Sequence, residues 1–191
     1  MSKVYVASSW RNDRQTDVVA AVRAAGHEAY DFKQPLGDTG FHWSDIDENW
    51  KSWTLSQYMD GLNNQIAQMG FKSDFDAMCW ADSCILVSPC GRSAHLEAGY
   101  FVGVGKTLII LLAPGEPELM YKMANKLALT IDEAVAALGK QRVRIVSCED
   151  GTKEMRWQVV FFGRGGFIDD FPSREKALDF CKAYKFEVDC G

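Results

Sequence analysis

The chain has 191 residues, a formal net charge of -5 and 47% hydrophobic residues. This length suits one medium domain or one domain with a small appendage, and the apolar fraction supports a substantial core. The negative charge argues against a generic binder of nucleic acid or of a membrane surface. The acidic excess lies wholly in residues 1–140, because residues 141–191 hold nine basic and nine acidic residues.

The cysteines and histidines indicate a cellular compartment and argue against a metal site. None of the six cysteines forms a CxxC pair, so we expect reduced thiols in a cytoplasmic protein. The three histidines lack the spacing of metal ligands. The N-terminus opens in a strand pattern without a signal-peptide core, and no apolar run is long enough to span a membrane. We therefore expect no metal, no cofactor and no membrane partner.

The first elements alternate between strand and helix. The pattern predicts a strand over residues 3–8, a helix over 13–25 that ends at Gly26, and a strand over 28–32. Such β-α-β units imply parallel pairing. The irregular, aromatic residues 33–53 have two equally supported interpretations, a lid or pocket wall and a surface loop held by its aromatic side chains. Thr54 is expected to begin a helix that ends at Gly70, and Ser73 or Asp74 a second helix that continues to about residue 81.

The loop after the first strand, residues 7–14, carries hydroxyl groups and two arginines at the start of a helix. A helix N-terminus with such side chains suits a phosphate or a sugar. A capped helix start with solvated arginines explains the loop equally well.

Residues 88–100 are the most informative segment, because apolar runs over 84–87 and 107–112 flank them. Two such runs around a helix-length segment predict strand, helix and parallel strand. The loop after the first of these strands then lies at the carboxyl edge of the sheet, where open α/β folds bind ligands. Glu97 lies just inside the helix and shares a face with Ser93. His95 is expected to pack against the sheet, and Cys90 has no histidine partner that the sequence can place.

Residues 103–107 end in Gly-Lys-Thr like a phosphate-binding loop, but the segment ends a helix and opens a strand. A true phosphate loop follows a strand and opens a helix. We therefore reject ATP or GTP binding at this segment.

The pattern changes after a helix that begins at a capping box over 130–133 and ends at Gly139. Strands are predicted over 142–148, 155–162 and 167–171, a helix after Ser173, and a last strand over 186–188. The predicted fold class is α/β, a doubly wound parallel sheet of the Rossmann or flavodoxin-like type with a small C-terminal α+β appendage. Residues 1–140 are the expected catalytic domain, and residues 141–191 the appendage.

Three segments together resemble the nucleoside 2-deoxyribosyltransferase superfamily, which includes related nucleotide N-glycoside hydrolases. They are residues 5–10, Asp74 before the central strand, and residues 93–100 with their Glu-x-Gly-Tyr. The resemblance covers about residues 3–113. It implies that Glu97 is the nucleophile, Asp74 the acid and Tyr5 the group that orients Glu97.

The same resemblance implies a binding site for a nucleoside or nucleotide and a homodimer or larger homo-oligomer. The implied binding residues are Ser8, Trp10, Arg11, Gly91, Arg92 and Ser93. Gly91 stands where the transferases have an aspartate, whereas the hydrolases place Gly and Ser there to hold a 5′-phosphate. Arg92 and Ser93 could do that here.

The residues and the resemblance lead to one main hypothesis and two alternatives. The chain is predicted to cleave the N-glycosidic bond of a nucleoside or nucleoside monophosphate, by hydrolysis or by base exchange. One alternative is an NAD-cleaving glycohydrolase of Toll/interleukin-receptor type, which also uses a helix glutamate on a parallel sheet. The other is a module that binds a nucleotide without turning it over.

Overall fold

The computed structural model describes residues 1–35, 39–139, 142–149, 155–161, 167–183 and 186–189. The strands in these residues form one sheet of five strands and one of four. The larger sheet contains β1 (Lys3–Ala7), β2 (Glu28–Tyr30), β3 (Ser83–Val87), β4 (Thr107–Leu111) and β5 (Lys126–Ala128). The helices around it are α1 (Arg14–Ala24), α2 (Leu55–Asn63), α3 (Gln65–Trp80), α4 (Arg92–Gly103) and α5 (Ile131–Ala136).

The larger sheet confirms the predicted doubly wound α/β fold. Its order is β2-β1-β3-β4-β5, and every neighbouring pair is parallel. The chain leaves β1 for the edge strand β2 and then returns to β3 on the other side of β1. Loops that leave β1 and β3 therefore diverge, and ligands of open α/β sheets bind in the crevice at such a switch point.

Strand alternation decides which helices each side chain meets. Val4 and Val6 of β1 face α1 and α5, whereas Tyr5 and Ala7 face α3 and α4. Both faces are covered, which explains why the central strands read as continuous apolar runs. Tyr5 brings a hydroxyl group into the buried part of β1, and it lies on the side of the sheet where α3 and α4 carry Asp74 and Glu97.

The predicted helix end at Gly70 and the predicted start at Ser73 or Asp74 are both wrong. Thr54 does cap α2, but α2 ends before Asn64. The Asn64 side chain accepts a hydrogen bond from the Ile66 amide and caps the start of α3. Gly70 lies inside α3, where an added Cβ would stand 2.7 Å from the Cβ of Phe41. This glycine permits close packing, and Asp74 lies in the middle of a helix.

The prediction that His95 packs against the sheet is also wrong. The residues of α4 buried against the sheet are Ala94, Ala98 and Phe101. His95 is exposed and makes polar contacts instead, with the carbonyl of Gly91 and the hydroxyl of Tyr121. Small alanines bring α4 close to the strands, and the imidazole stays on the outer side.

The second sheet confirms the predicted C-terminal α+β appendage. Its elements are β6 (Arg142–Glu149), β7 (Met155–Phe161), β8 (Phe167–Phe171), α6 (Arg174–Ala183) and β9 (Glu187–Asp189). The order is β8-β7-β6-β9. β7 pairs antiparallel with both β8 and β6, and β9 pairs parallel with β6. Val159, Ala177 and Cys181 form a small core of its own. In the described ranges no helix combines the length and apolar character needed to cross a membrane.

Candidate active site

A cleft of about 550 Å³ lies beyond the carboxyl ends of β1 and β3. The loop after β1, the start of α4, the middle of α3 and part of the aromatic segment over 32–50 line it. Eight of the nine residues singled out from the sequence line this cleft: Ser8, Trp10, Arg11, Asp74, Gly91, Arg92, Ser93 and Glu97. Tyr5, the ninth, lies beneath it and is 1% exposed.

Hydrogen bonds join the loops that follow β1 and β3. The Ser8 hydroxyl donates to the Val87 carbonyl at 2.9 Å, and the buried Asn12 amide donates to the carbonyls of Val87 and Pro89 at 3.2 and 3.1 Å. Arg14, one of the two arginines of the first loop, donates to backbone carbonyls, including that of Ser88. Arg14 therefore has a structural role, and of the two arginines of this loop only Arg11 lines the cleft.

Glu97 lies in the second turn of α4 and faces the cleft. The Tyr5 hydroxyl hydrogen-bonds its carboxyl group. Burial raises the pKa of Glu97 to about 7, the negative charge of Asp74 adds to the rise, and the bond from Tyr5 opposes it. This carboxyl group therefore exchanges a proton near neutral pH.

Asp74 extends from the middle of α3 into the same cleft. The Tyr30 hydroxyl donates to its Oδ1 at 2.9 Å and lies 3.0 Å from the Ser73 hydroxyl. Burial raises the pKa of Asp74, and the bond from Tyr30 opposes that rise. Sequence reasoning missed Tyr30, which comes from the edge strand β2 and becomes recognisable only once its register with β1 is known.

The two carboxyl groups interact through their charges. The negative charge of Asp74 helps to raise the pKa of Glu97 to about 7, so the pair retains a proton up to about that pH. Glu97 and Asp74 can thus act as one base and one acid in the singly protonated state. Burial is the largest cause of the raised pKa of each carboxyl group.

Aromatic side chains form part of the cleft wall. Trp10 contacts the ring of His42 at 4.1 Å between centroids and meets the edge of Phe32 at 5.4 Å. Phe41 and Trp43 meet edge to face at 4.8 Å. Phe41, His42, Trp43 and Trp50 line the cleft, so part of the aromatic segment forms a pocket wall. Flat aromatic faces of this kind suit a heterocyclic base.

Positive charge and free amide groups also line the cleft. The exposed Arg11 and Arg92 line it, and neither guanidinium group donates to a partner within the described residues. Gly91 precedes α4 and offers no side-chain cap, so the first amide groups of the helix are open to a ligand. Together these groups suit a phosphate.

Cys90 acquires the histidine neighbour that the sequence could not place, with 3.7 Å between its Sγ and the Nδ1 of His95. The same nitrogen lies 2.9 Å from the Gly91 carbonyl, which can only accept a hydrogen bond. Burial and the charge of Glu97 raise the pKa of the thiol to about 11. Cys90 therefore stays protonated and is a poor nucleophile. Among the described residues no cluster of three acidic, histidine or cysteine side chains could hold a metal ion.

Comparison with known proteins identifies solved structures that are similar to this chain. No protein-family model matches the chain, and no curated protein matches it. The chain is similar to a 2-deoxyribosyltransferase from Bacillus psychrosaccharolyticus, with 19% identity and a TM-score of 0.45 over 69% of this chain and 88% of that one. It is also similar to the Clostridium botulinum CMP N-glycosidase BcmB, with 19% identity and a TM-score of 0.40 over 71% and 96% of the two chains.

Proposed function

We propose that the protein is an enzyme that cleaves the N-glycosidic bond of a nucleoside or nucleoside monophosphate, with Glu97 as nucleophile. The pair of Glu97 and Asp74 in one aromatic cleft is the observation that carries this proposal. Each carboxyl group accepts a tyrosine hydrogen bond, so both are held in place before a substrate arrives.

The first step forms one bond and breaks one. The Glu97 carboxylate attacks the anomeric carbon, the bond to the base breaks, and its electron pair leaves with the base. Asp74 donates its proton to the base nitrogen as the base departs. The products are a free base, a glycosyl ester of Glu97 and an ionised Asp74.

The second step returns the site to its starting state. Asp74 removes a proton from a water molecule, and the water oxygen attacks the anomeric carbon and releases Glu97. A second nucleobase that replaces the water turns hydrolysis into base exchange. The two reactions are distinguished by adding an acceptor base and measuring the products. Free sugar indicates hydrolysis, and a new nucleoside indicates base exchange.

A panel of substrates tests the proposal directly. Ribonucleosides, deoxyribonucleosides, their 5′-monophosphates and NAD are incubated with the protein, and free base or nicotinamide is measured by chromatography. Release of nicotinamide alone would instead support the NAD glycohydrolase. Tight binding with no release after long incubation would support the non-catalytic module.

The open amide groups of α4, together with Arg92, Ser93 and Arg11, are proposed to hold a 5′-phosphate. We expect Arg92→Ala to reduce the preference in kcat/KM for monophosphates over nucleosides by about 10- to 100-fold, since hydrogen bonds to charged groups contribute about 1.5–3 kcal/mol. Arg174→Ala is the matched control, because Arg174 is the exposed first residue of α6 in the second sheet's unit. Equal efficiency on both substrate types in the unmodified protein would indicate a free-nucleoside enzyme.

We also propose that the protein forms a homodimer or larger homo-oligomer through α2. Leu55, Tyr58, Met59 and Leu62 recur at helical spacing and are 87%, 50%, 58% and 44% exposed. Ile66 and Met69 at the start of α3 are also exposed, at 42% and 65%, and clusters of exposed large apolar side chains are typical of interaction surfaces. A standard interface buries about 800 Å² per partner.

A second copy is the occupant that fits this surface. Asp60 is the charged residue of α2 and lies outside the apolar spacing, so two copies meet without like-charge repulsion. The surface also backs the pocket wall, because Tyr58 contacts Trp43 at 6.3 Å and Trp53 packs over Gly61.

Sedimentation velocity tests this assembly. We expect a dimer or larger species in the micromolar range, and at least a tenfold weaker association for Met59→Glu. Met155→Glu is the control, since Met155 is 52% exposed on β7 of the other sheet. A wild-type protein that stays monomeric at about 100 µM would refute the proposal, because its dissociation constant would then be too high for a specific dimer.

Residues 141–191 are proposed to form a separate domain that supplies no chemistry. Support comes from the independent core around Val159 and from the ion pair between Arg156 and Asp170 at 2.7 Å. The equal numbers of basic and acidic residues argue against nucleic-acid binding by this unit.

A cytoplasmic location is proposed from the cysteines. Five of them lie in the described residues, and all five are free thiols. Free thiols persist in reducing compartments.

A further inference from the structure

We propose that Tyr30 is a positioning residue for Asp74, and that Tyr30 and Tyr5 form a stacked pair in which each hydroxyl holds one carboxyl group of the cleft. The catalytic part of this inference rests on the function proposed above. Tyr30 touches neither the anomeric carbon nor the base in this proposal and acts through Asp74.

The pair arises from strand register. Tyr5 of β1 and Tyr30 of β2 are direct neighbours in the parallel ladder, so their side chains emerge on the same face of the sheet. Their rings are stacked, with 5.5 Å between centroids and 15° between planes. Tyr5 reaches Glu97 on α4, and Tyr30 reaches Asp74 on α3. The spacing of two adjacent strands thereby sets the spacing of the two carboxyl groups.

A short chain of hydrogen bonds gives Tyr30 a defined orientation. When Asp74 is ionised, the single proton of Tyr30 goes to Asp74 Oδ1, because an ionised carboxylate only accepts. The Ser73 hydroxyl, 3.0 Å away, must then donate to the Tyr30 oxygen. Serine, tyrosine and aspartate thus form a relay in which each donor polarises the next.

The groups that face Asp74 determine what this bond does. Tyr30 faces it from β2, Tyr5 from β1, Glu97 from α4 and Ser73 from its own helix. On the far side of Tyr30 lies Asp31, which accepts a hydrogen bond from Gln15. On the cleft side Arg11 and Arg92 are the cations.

Tyr30 favours the ionised form of Asp74, since a hydrogen bond to a carboxylate is stronger than one to a carboxylic acid. Asp74 becomes ionised as it protonates the departing base. The bond from Tyr30 therefore strengthens during the first step, and this is the condition for lowering its barrier. In the second step the same bond keeps the carboxylate oriented toward water.

Tyr30→Phe removes the hydroxyl and keeps the stacked ring. We expect the first-turnover rate of base release from a natural substrate to fall about 10- to 100-fold. The first-turnover release of p-nitrophenol from p-nitrophenyl riboside, whose leaving group needs no proton, should fall less than about threefold. Tyr5→Phe is the matched control, because it weakens the nucleophile and slows both substrates alike. In an Asp74→Asn background, Tyr30→Phe should cause no further loss.

The pKa of Asp74 can be measured without turnover and tests the role of Tyr30 directly. Carbon-13 NMR titration of the Asp74 carboxyl group should give a higher pKa in Tyr30→Phe than in the wild type, because the bond that favours the carboxylate is gone. An unchanged pKa, equal slowing of both substrates, or an added loss in the Asp74→Asn background would overturn the role of Tyr30. A wild type that releases no base would instead refute the proposed function and leave the titration as the test of the positioning.

Discussion

Glu97→Gln is expected to lose base release by at least about three orders of magnitude and to remain folded. Loss of a covalent nucleophile costs several powers of ten, because no other group forms the bond to the anomeric carbon. Gln preserves the shape of Glu97 and can still accept the hydrogen bond from Tyr5. Initial rates of base release, with single-turnover measurements for the variant, check the result. Near-normal turnover by the folded variant would refute the assignment.

The folding stability of Glu97→Gln provides an internal control, because its change relative to the wild type has a predictable direction with pH. The pKa of Glu97 is raised from 4.5 to about 7, so the native state binds more protons than the unfolded state between these values. Wild-type stability therefore falls as the pH rises through this window. Glu97→Gln removes that cost, and its gain at pH 8 is at most about 3 kcal/mol and vanishes near pH 4. Thermal unfolding of both proteins at the two pH values measures it.

Asp74→Asn is expected to slow the natural substrate about 10²- to 10⁴-fold, the range for loss of general acid catalysis. The first-turnover release of p-nitrophenol from p-nitrophenyl riboside should change far less, because this leaving group departs without a proton. The first turnover is measured because Asp74 also activates water in the second step, which both substrates share. Removal of the charge of Asp74 also lowers the pKa of Glu97, so activity on this substrate should begin at a lower pH. Rates on both substrates between pH 5 and 9 check these effects.

Asp76→Asn is the matched control for this experiment. Asp76 lies two residues further along α3, is exposed, and forms an ion pair with Lys72 outside the cleft. It should leave both rates within about twofold of the wild type, since surface ion pairs contribute about 1 kcal/mol or less. Equal slowing of both substrates by Asp74→Asn would remove the acid role and leave Asp74 a positioning function.

Several elements could be predicted because their causes are local. The runs at β1, β3 and β4 are apolar at nearly every position, and strands covered on both faces need that composition. The position of Glu97 follows from the same strands, because a carboxylate just after a central strand must lie at the carboxyl edge of the sheet. The strand β5 escaped prediction, since a strand of three residues with two exposed positions carries too little pattern.

Other features depend on contacts between residues far apart in the chain. Gly70 is read as a helix end from the sequence, but Phe41, which packs against its Cα, explains the glycine. The exposed position of His95 also depends on a distant residue, because its contact with Tyr121 forms only when a later segment folds back over α4. In both cases a contact with a residue far away in the chain determines the role of the residue, and the neighbouring sequence does not show that contact.

The sequence by itself determined the doubly wound sheet, its C-terminal appendage and the edge at which Glu97 lies, because strand alternation, apolar runs and chain order act over short distances. Only the tertiary structure decided that Asp74 reaches the same cleft from the middle of α3, and that Tyr30 holds it. Those contacts depend on the register of β2 against β1 and on the depth at which α3 packs. Burial of the two carboxyl groups, which raises both pKa values, is likewise a property of the assembled site.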